Sequence, residues 1–333
     1  MTVFAPAVSS LWQQIEDYGI DAEAIFKKHG VDRSTLFDAS ARVSDLVIDR
    51  ITAEAAEKSG DAFFGAKESN YFLPTHIGPL GFAWLASTTL QSALERLQRY
   101  AKVIHEKGQV GIDYRQEELV ISIHMSAPNA RDYHRDTGQL TVLTRMCRFI
   151  AGDDWNPKLV TFAHPPPEDT SYYFQYFRCA LEFDAGRNSL HIDREQAGKR
   201  LSGSNKQLAQ LNDHIVVRYL ASQCKDDIIN RVKTAILEKL GEGSVTESTI
   251  AEELHMSTRN LNRKLSAENT SFKALLLEIR SELASQYIND ATLTLTEISY
   301  LLGFSEISSF SRAYKRWTGH SPSEARRVRS ERA

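Results

Sequence analysis

Residues 248–272, STIAEELHMSTRNLNRKLSAENTSF, and residues 295–322, LTEISYLLGFSEISSFSRAYKRWTGHSP, carry one pattern twice. Aligning Ala251 with Ser299, 48 residues on, puts Ile250, Leu254 and Met256 opposite Ile298, Leu302 and Phe304. One inserted residue later, Leu261 faces Phe310, Arg263 faces Arg312 and Leu265 faces Tyr314. Each copy reads as a short helix, a tight turn and a second helix with a polar, basic outer face. A small residue in the middle of the first helix lets the second cross over it, which is the helix-turn-helix layout. Gly303 sits in the second turn, where a positive φ is easy; His255 stands there in the first copy and is the weaker match.

A single helical hairpin of this kind is common, but two copies joined by one long helix are not. Phe272–Ile288 (FKALLLEIRSELASQYI) supplies that helix, and 17 residues at ~1.5 Å each span roughly 26 Å. That places two recognition helices about one turn of DNA apart, near the ~34 Å between successive major grooves. The expectation is one chain reading two grooves of double-stranded DNA.

Residues 226–329 resemble the DNA-binding domain of the AraC/XylS family of bacterial transcription regulators. The resemblance rests on Leu301-Leu-Gly-Phe-Ser305, Phe310-Ser-Arg312, Gly319-His-Ser-Pro322 and Arg326. Two departures stand out. Asn269 occupies a place where the family's first unit usually has Gly, and Asn also tolerates a left-handed cap. Ala325 replaces the aromatic often found before the final Arg. The first 200 residues resemble the α+β effector domain of one branch of the family, through Gly78-Pro-Leu-Gly81, Arg99-Tyr100, His164-Pro-Pro-Pro167, Phe177-Arg-Cys179 and Phe183. That domain is commonly labelled arabinose-binding, a label that leaves the ligand open among a sugar, an amino-acid derivative and an apolar acid. The resemblance implies a ligand-responsive regulator, expected to be an activator, with RNA polymerase and a small-molecule effector as partners.

Charge agrees locally. The chain carries 40 Lys+Arg against 43 Asp+Glu, yet residues 225–333 hold 16 against 15. On the first recognition helix, Leu261 and Leu265 should face the core. Arg259, Asn262 and Arg263 then project outward to base edges, with Thr258 and Lys264 nearer phosphates. Arg matches guanine O6/N7 and Asn matches adenine N6/N7. On the second, Phe310 and Tyr314 should pack inward, leaving Ser308, Ser311, Arg312, Lys315 and Arg316 outward. Serines discriminate bases poorly, so this unit should add affinity more than sequence choice. Arg326, Arg327 and Arg329 extend the basic run and can neutralise phosphates. Trp317 is either core or a backbone contact.

Before residue 200 the periods mix, giving an α+β effector domain over 1–200. Helical runs cover Leu11–Tyr18, Ala24–His29, Asp45–Lys58, Thr89–Lys107, Asp136–Ala151 and Ser171–Cys179, and His76–Gly81 reads as a loop or tight turn. Gln109–Tyr114 and Leu119–Met125 alternate around Gln116-Glu-Glu118 as a hairpin. Lys158–Ala163 reads as a strand, and Leu181–Asp184 with Ser189–Ile192 as a second hairpin around Ala185-Gly-Arg-Asn188. Residues 201–224 form a linker helix in which Leu208, Leu211, Ile215 and Tyr219 recur at helical spacing. Ordinary packing is the common explanation of such a helix, and a homodimer seam is the sharper one. The all-α domain then runs over 225–333, set off by Leu240-Gly-Glu-Gly-Ser244.

Within 1–200, Tyr172, Tyr173 and Tyr176 belong to an aromatic cluster that either packs a core or lines an effector pocket. The three cysteines, Cys147, Cys179 and Cys224, lie far apart without CxxC. No Walker loop, GxSxG, GxGxxG or HExxH occurs, and His124, His134 and His164 lack carboxylates at ligand spacing. No catalytic residue, metal or cofactor is therefore expected. An enzyme with a catalytic first domain and an accessory DNA-binding tail is the alternative reading. The N-terminus lacks a basic region followed by an apolar run, and no stretch suits a bilayer, so a cytoplasmic location without membrane partners is expected.

Overall fold

The computed structural model describes residues 1–124, 133–222, 228–240, 245–288 and 293–330; Met125, Cys224 and the Gly241–Ser244 break lie outside that set. The chain forms two compact units, Met1–Val216 and Val217–Ala333. In the first, β1 (Thr2–Phe4) pairs antiparallel with β2 (Arg42–Ser44), flanked by α1 (Ser9–Asp17), α2 (Ala22–Lys28) and α3 (Asp45–Ser59). Then come α4 (Phe64–Lys67), α5 (Pro79–Leu85) and α6 (Leu90–Ile104). A five-stranded sheet is built from β3 (Gln109–Tyr114), β4 (Glu118–His124), β5 (Leu159–Thr161), β6 (Ala180–Glu182) and β7 (Asn188–Asp193). It is crossed by α7 (Tyr133–Ala151), with α8 (Ser171–Phe177), α9 (Arg194–Gly198) and α10 (Lys206–Ser222) completing the set. The α+β reading of this region holds.

Two local expectations fail. Within His76–Gly81, expected as a loop, Gly78 takes φ +57° and Pro79 opens α5. A first-turn proline loses no helical hydrogen bond, so the residue that signals a loop here starts a helix. Gly81 is needed for the close return: a Cβ there would lie 1.7 Å from the Pro74 carbonyl oxygen. The second hairpin is also wrong. The strand order is β3-β4-β7-β5-β6, so β7 sits between β4 and β5, and β6 pairs in parallel with β5 alone. Asn188–Ile192 is buried at every position, as a central strand requires, whereas an edge hairpin would alternate. The Thr161 hydroxyl bridges β5 to β7, donating to the Arg187 carbonyl at 2.9 Å and lying 2.7 Å from Ser189 Oγ.

The second unit is helical: α11 (Ile228–Leu240), α12 (Glu247–Glu253), α13 (Thr258–Ala267), α14 (Phe272–Ile288), α15 (Leu295–Leu301), α16 (Ile307–Thr318) and α17 (Pro322–Ser330). Its core matches the repeat position for position. Ile250 and Ile298, Leu261 and Phe310, Ala251 and Ser299, and Leu265 and Tyr314 are all buried in one cluster with α14. Threonine caps open both first helices, Thr246 accepting from Thr249 N and Thr294 from Glu297 N. The turns superpose in kind. His255 and Gly303 are both left-handed, at φ +54° and +69°. In each, the next amide reaches back, Met256 N to Ala251 O at 2.9 Å and Phe304 N to Ser299 O at 3.0 Å. Asn269 and Gly319, at φ +55° and +83°, likewise end α13 and α16.

The Arg280 guanidinium on α14 braces the second turn. It donates to the Leu302 and Gly303 carbonyls at 2.9 and 3.0 Å and lies 4.4 Å over the Phe304 ring. A Cβ on Gly303 would come 2.7 Å from the Leu240 carbonyl oxygen. Gly303→Ala is therefore expected to cost about 1–3 kcal/mol, combining backbone strain with that clash. His255→Gly should instead be neutral or stabilising by up to about 1 kcal/mol, since it removes a side chain from the same backbone region. Urea unfolding of the two variants checks both; equal destabilisation by the two would show that the turns are not equivalent.

Candidate functional site

The face that α13 and α16 expose follows from which of their sides are buried. On α13, Ser257 caps the helix, its hydroxyl accepting from Asn260 N at 3.2 Å, and Leu261 and Leu265 are fully buried. Thr258, Arg259, Asn262, Arg263 and Lys264 are left exposed. On α16, Phe310, Ala313 and Tyr314 are buried, Ser311 is half-buried, and Ser308, Arg312, Lys315 and Arg316 are exposed. Each recognition helix thus presents three cations away from the shared core.

Several of these side chains are already engaged. The Asn262 amide donates to a Glu247 carboxylate oxygen at the start of α12, so pairing with a base requires exchanging that bond. Arg263 donates to Asn260 Oδ1 at 2.9 Å, and the Ser308 hydroxyl to Glu306 Oε2 at 3.0 Å. Arg326, read from sequence as part of the basic run, is occupied with the fold: its guanidinium donates to the carbonyls of Leu293 and, at 3.3 Å, Ile288. The first of these carbonyls lies two residues before α15 and the second ends α14, so Arg326 is a structural brace. Trp317 packs on the core beside Phe304, 6.2 Å between ring centroids, and its indole nitrogen is buried without a partner. Arg280 was not legible in the sequence, where its one signal is a cation next to Ile279 in the middle of the long helix.

In the first unit, a cavity of about 170 Å³ opens between α1, α3, α4, α6 and α7. Tyr172, Tyr173 and Tyr176 are not among its lining residues. Tyr173 is 1% exposed, edge-on to Phe63. Tyr172 stacks on Phe63 and Tyr176, and the Tyr176 hydroxyl donates to the Thr141 carbonyl at 2.8 Å under the Arg148 guanidinium. They form the aromatic layer that joins α8 to the rest of the unit. His164, in the same layer, is tilted against Phe162 and Phe183, with Nδ1 2.8 Å from the Pro165 carbonyl oxygen.

The cavity's walls are close-set. A Cβ on Gly65 would fall 2.2 Å from the His134 carbonyl oxygen, and one on Gly138 2.9 Å from the Gly65 carbonyl oxygen, so glycine alone lets α4 meet α7 backbone to backbone. α1 ladders onto α4 and the turn after it through two polar pairs. Ser10 Oγ donates to Glu68 Oε1 at 2.7 Å, and Gln14 Nε2 donates to the Phe64 carbonyl at 2.6 Å. Across the cavity, Arg135 bridges Asp49 at 2.5 Å and Asp45, while His105 Nε2 lies 2.5 Å from the other Asp45 oxygen. Burial pushes the Asp45 carboxyl up, but Arg135 and His105 outweigh it and hold Asp45 below the usual carboxylate range. Neither Gln14 nor Glu68 was legible as a site residue, because the two are 54 positions apart in the chain.

Comparison with known proteins agrees with this division. The family described as the N-terminal arabinose-binding domain of AraC transcription regulator matches residues 19–201, and a helix-turn-helix domain matches residues 250–328. The ornithine utilization regulator of Pseudomonas aeruginosa is 28% identical over 95% of this chain and 94% of its own length. An HTH-type transcriptional regulator of Mycobacterium tuberculosis is 26% identical over 96% and 94%. The crystal structure of the regulator CdpR from Pseudomonas aeruginosa aligns over 96% of this chain and 98% of that one, at 16% identity and a TM-score of 0.48. With that N-terminal family matched over residues 19–201 and a helix-turn-helix domain over 250–328, the chain belongs to the AraC family and is a ligand-responsive, DNA-binding transcription regulator.

Proposed function

We propose that this regulator is an activator that binds DNA as a homodimer, each copy laying α13 and α16 into successive major grooves. The observation that carries this is the pairing of two equivalent helix-turn-helix units on one 17-residue helix, with all six basic side chains exposed. Arg259 and Arg263 read base edges on α13, joined by Asn262 once it leaves Glu247, with Thr258 and Lys264 on phosphates. On α16, Arg312 and the two serines lie toward the groove, while Lys315 and Arg316 meet the backbone. Activation implies contact with RNA polymerase. The first unit acts as a sensor, not a catalyst, in keeping with relatives that are transcriptional regulators. The site of action is the cytoplasm, and among the described residues no helix is long and apolar enough to cross a membrane.

The dimer reading rests on α10. Its buried residues are Ala209, Asn212, Asp213 and Val216, and Arg96 donates to both Asp213 carboxylate oxygens at 3.1 Å. Leu208 and Leu211, by contrast, are 43% and 60% exposed. The apolar stripe seen in the sequence is thus not the stripe that packs within the chain.

Replacing Arg263 with Ala should cost about 1–3 kcal/mol at one or two base positions and relax preference there. Lys315→Ala or Arg316→Ala should weaken every sequence alike and reduce the salt slope by about one counterion. Selection from randomised sites separates the two effects; an Arg263 variant that keeps full base preference refutes the assigned reading face. Glu at both Leu208 and Leu211 should convert the dimer to a monomer in sedimentation, and a dimer that survives both changes has its interface elsewhere.

A further inference from the structure

The cavity of the first unit holds one polar atom that the fold leaves unused. Gln14 is fully buried and its Oε1 has no hydrogen-bond partner. Its orientation is fixed, because the nitrogen must face the Phe64 carbonyl, an acceptor only. A buried acceptor left unpaired costs the desolvation of that group, and a donor reaching it from the cavity, water or ligand, relieves that cost. Glu68 lines the same cavity, on the turn adjacent to the one Gln14 meets: Ser10 and Gln14 are one helical turn apart on α1, as are Phe64 and Glu68 opposite them. One Glu68 oxygen accepts from Ser10, and the other lies beside Gly138, where nothing larger than hydrogen projects from the backbone.

Charge around the cavity is lopsided. The Arg135 cation is shared between Asp45 and Asp49, and His105 is paired with Asp45, which leaves Glu68 as the excess anion on the wall. Burial pushes the Glu68 carboxyl above the usual carboxylate range, offset only in part by the Ser10 hydroxyl and Arg135. An enclosed carboxylate of this kind is relieved by a cation. The lining is otherwise mostly apolar, with Leu11, Ile48, Phe64, Leu97 and Met146 among it, beside the polar side chains of Thr52, His134 and Gln139. A dry cavity of ~150 Å³ accepts a benzene ring, so this one suits a body of similar size with a short polar end.

We infer that this cavity is the effector site and that its ligand is a small amphipathic organic cation, a primary amine on an apolar body, whose ammonium donates to Gln14 Oε1 and Glu68. An ammonium carries three donors and no acceptor, which matches two neighbouring acceptors. Among the described residues the arginine of this lining, Arg135, is committed to two aspartates, which disfavours a carboxylate or a zwitterionic amino acid. This inference rests on the ligand-responsive reading of the first unit and names the class of its ligand.

The test uses the full chain and four isosteres: 2-phenylethylamine, 2-phenylethanol, 3-phenylpropionate and L-phenylalanine. A ligand that binds only the native state raises its unfolding midpoint. The amine is expected to raise it at millimolar concentration, and the other three are not. Glu68→Gln, near-isosteric, should weaken amine binding by about tenfold or more in calorimetry, as loss of a charged hydrogen-bond partner does. If that variant does not fold, the four-compound comparison on the unaltered chain decides alone. No shift with the amine, or an equal shift with alcohol or carboxylate, overturns the inference. A different metabolite that changes DNA affinity while the amine does nothing would sink this ligand class and leave the ligand-responsive regulator standing.

Discussion

The left-handed backbone at His255 and Gly303 is the constraint on which the second unit depends. Each reverses the chain within one residue, so that the amide behind it closes back onto the helix just left. Only then do Ile250 and Leu261, and Ile298 and Phe310, converge on the face of α14. Turning the recognition helices outward is the same event as burying those four residues. Because burial is non-directional but the turn is not, the turn sets the angle and the hydrophobic contact holds it. The two copies solve the problem with different tolerance. The Leu240 carbonyl crowds Gly303, whereas the first turn is open enough to carry an imidazole.

The helix-turn-helix pair was legible because everything that specifies it is local. Period, small residue, turn and cap fall within 25 residues, and the second copy repeats them. Even the weak matches, His255 and Asn269, take the left-handed conformation that glycine takes in their counterparts. The misread hairpin shows the opposite case. Leu181–Asp184 and Ser189–Ile192 have strand character and a turn between them, but nothing nearby reveals that β5, some thirty residues upstream of β7, inserts between the two. Asn188, Ser189 and His191 are polar types that read as a half-exposed strand, and only the structure shows that all five positions from Asn188 to Ile192 are buried.

The cavity lay deeper still. Gln14 sits in an amphipathic helix where a polar residue normally marks the wet face, and Glu68 falls in a short irregular stretch; only the fold makes them neighbours. The tyrosine cluster was conspicuous for the reason that it packs: of five aromatics within six residues, Tyr172, Tyr173, Tyr176 and Phe177 stack into one layer while Phe174 stays exposed. Arg326 carries a related lesson. A cation near the end of a basic run looks like a phosphate contact until the carbonyls of Ile288 and Leu293 claim it.

β7 is the last strand of its sheet in the chain and the middle one in space. During synthesis, β3 and β4 can pair early, but β4 keeps an open edge until residues 188–193 emerge. β5 and β6 have no antiparallel partner until then either. The sheet therefore assembles late and all at once, through contacts of long sequence separation, which is the slow regime of folding. The helices of Val217–Ala333 close mainly on near neighbours and belong to the fast regime. A nascent chain of this protein waits longest with strand edges bare, the state in which chaperones matter most, at the moment before β7 slots home.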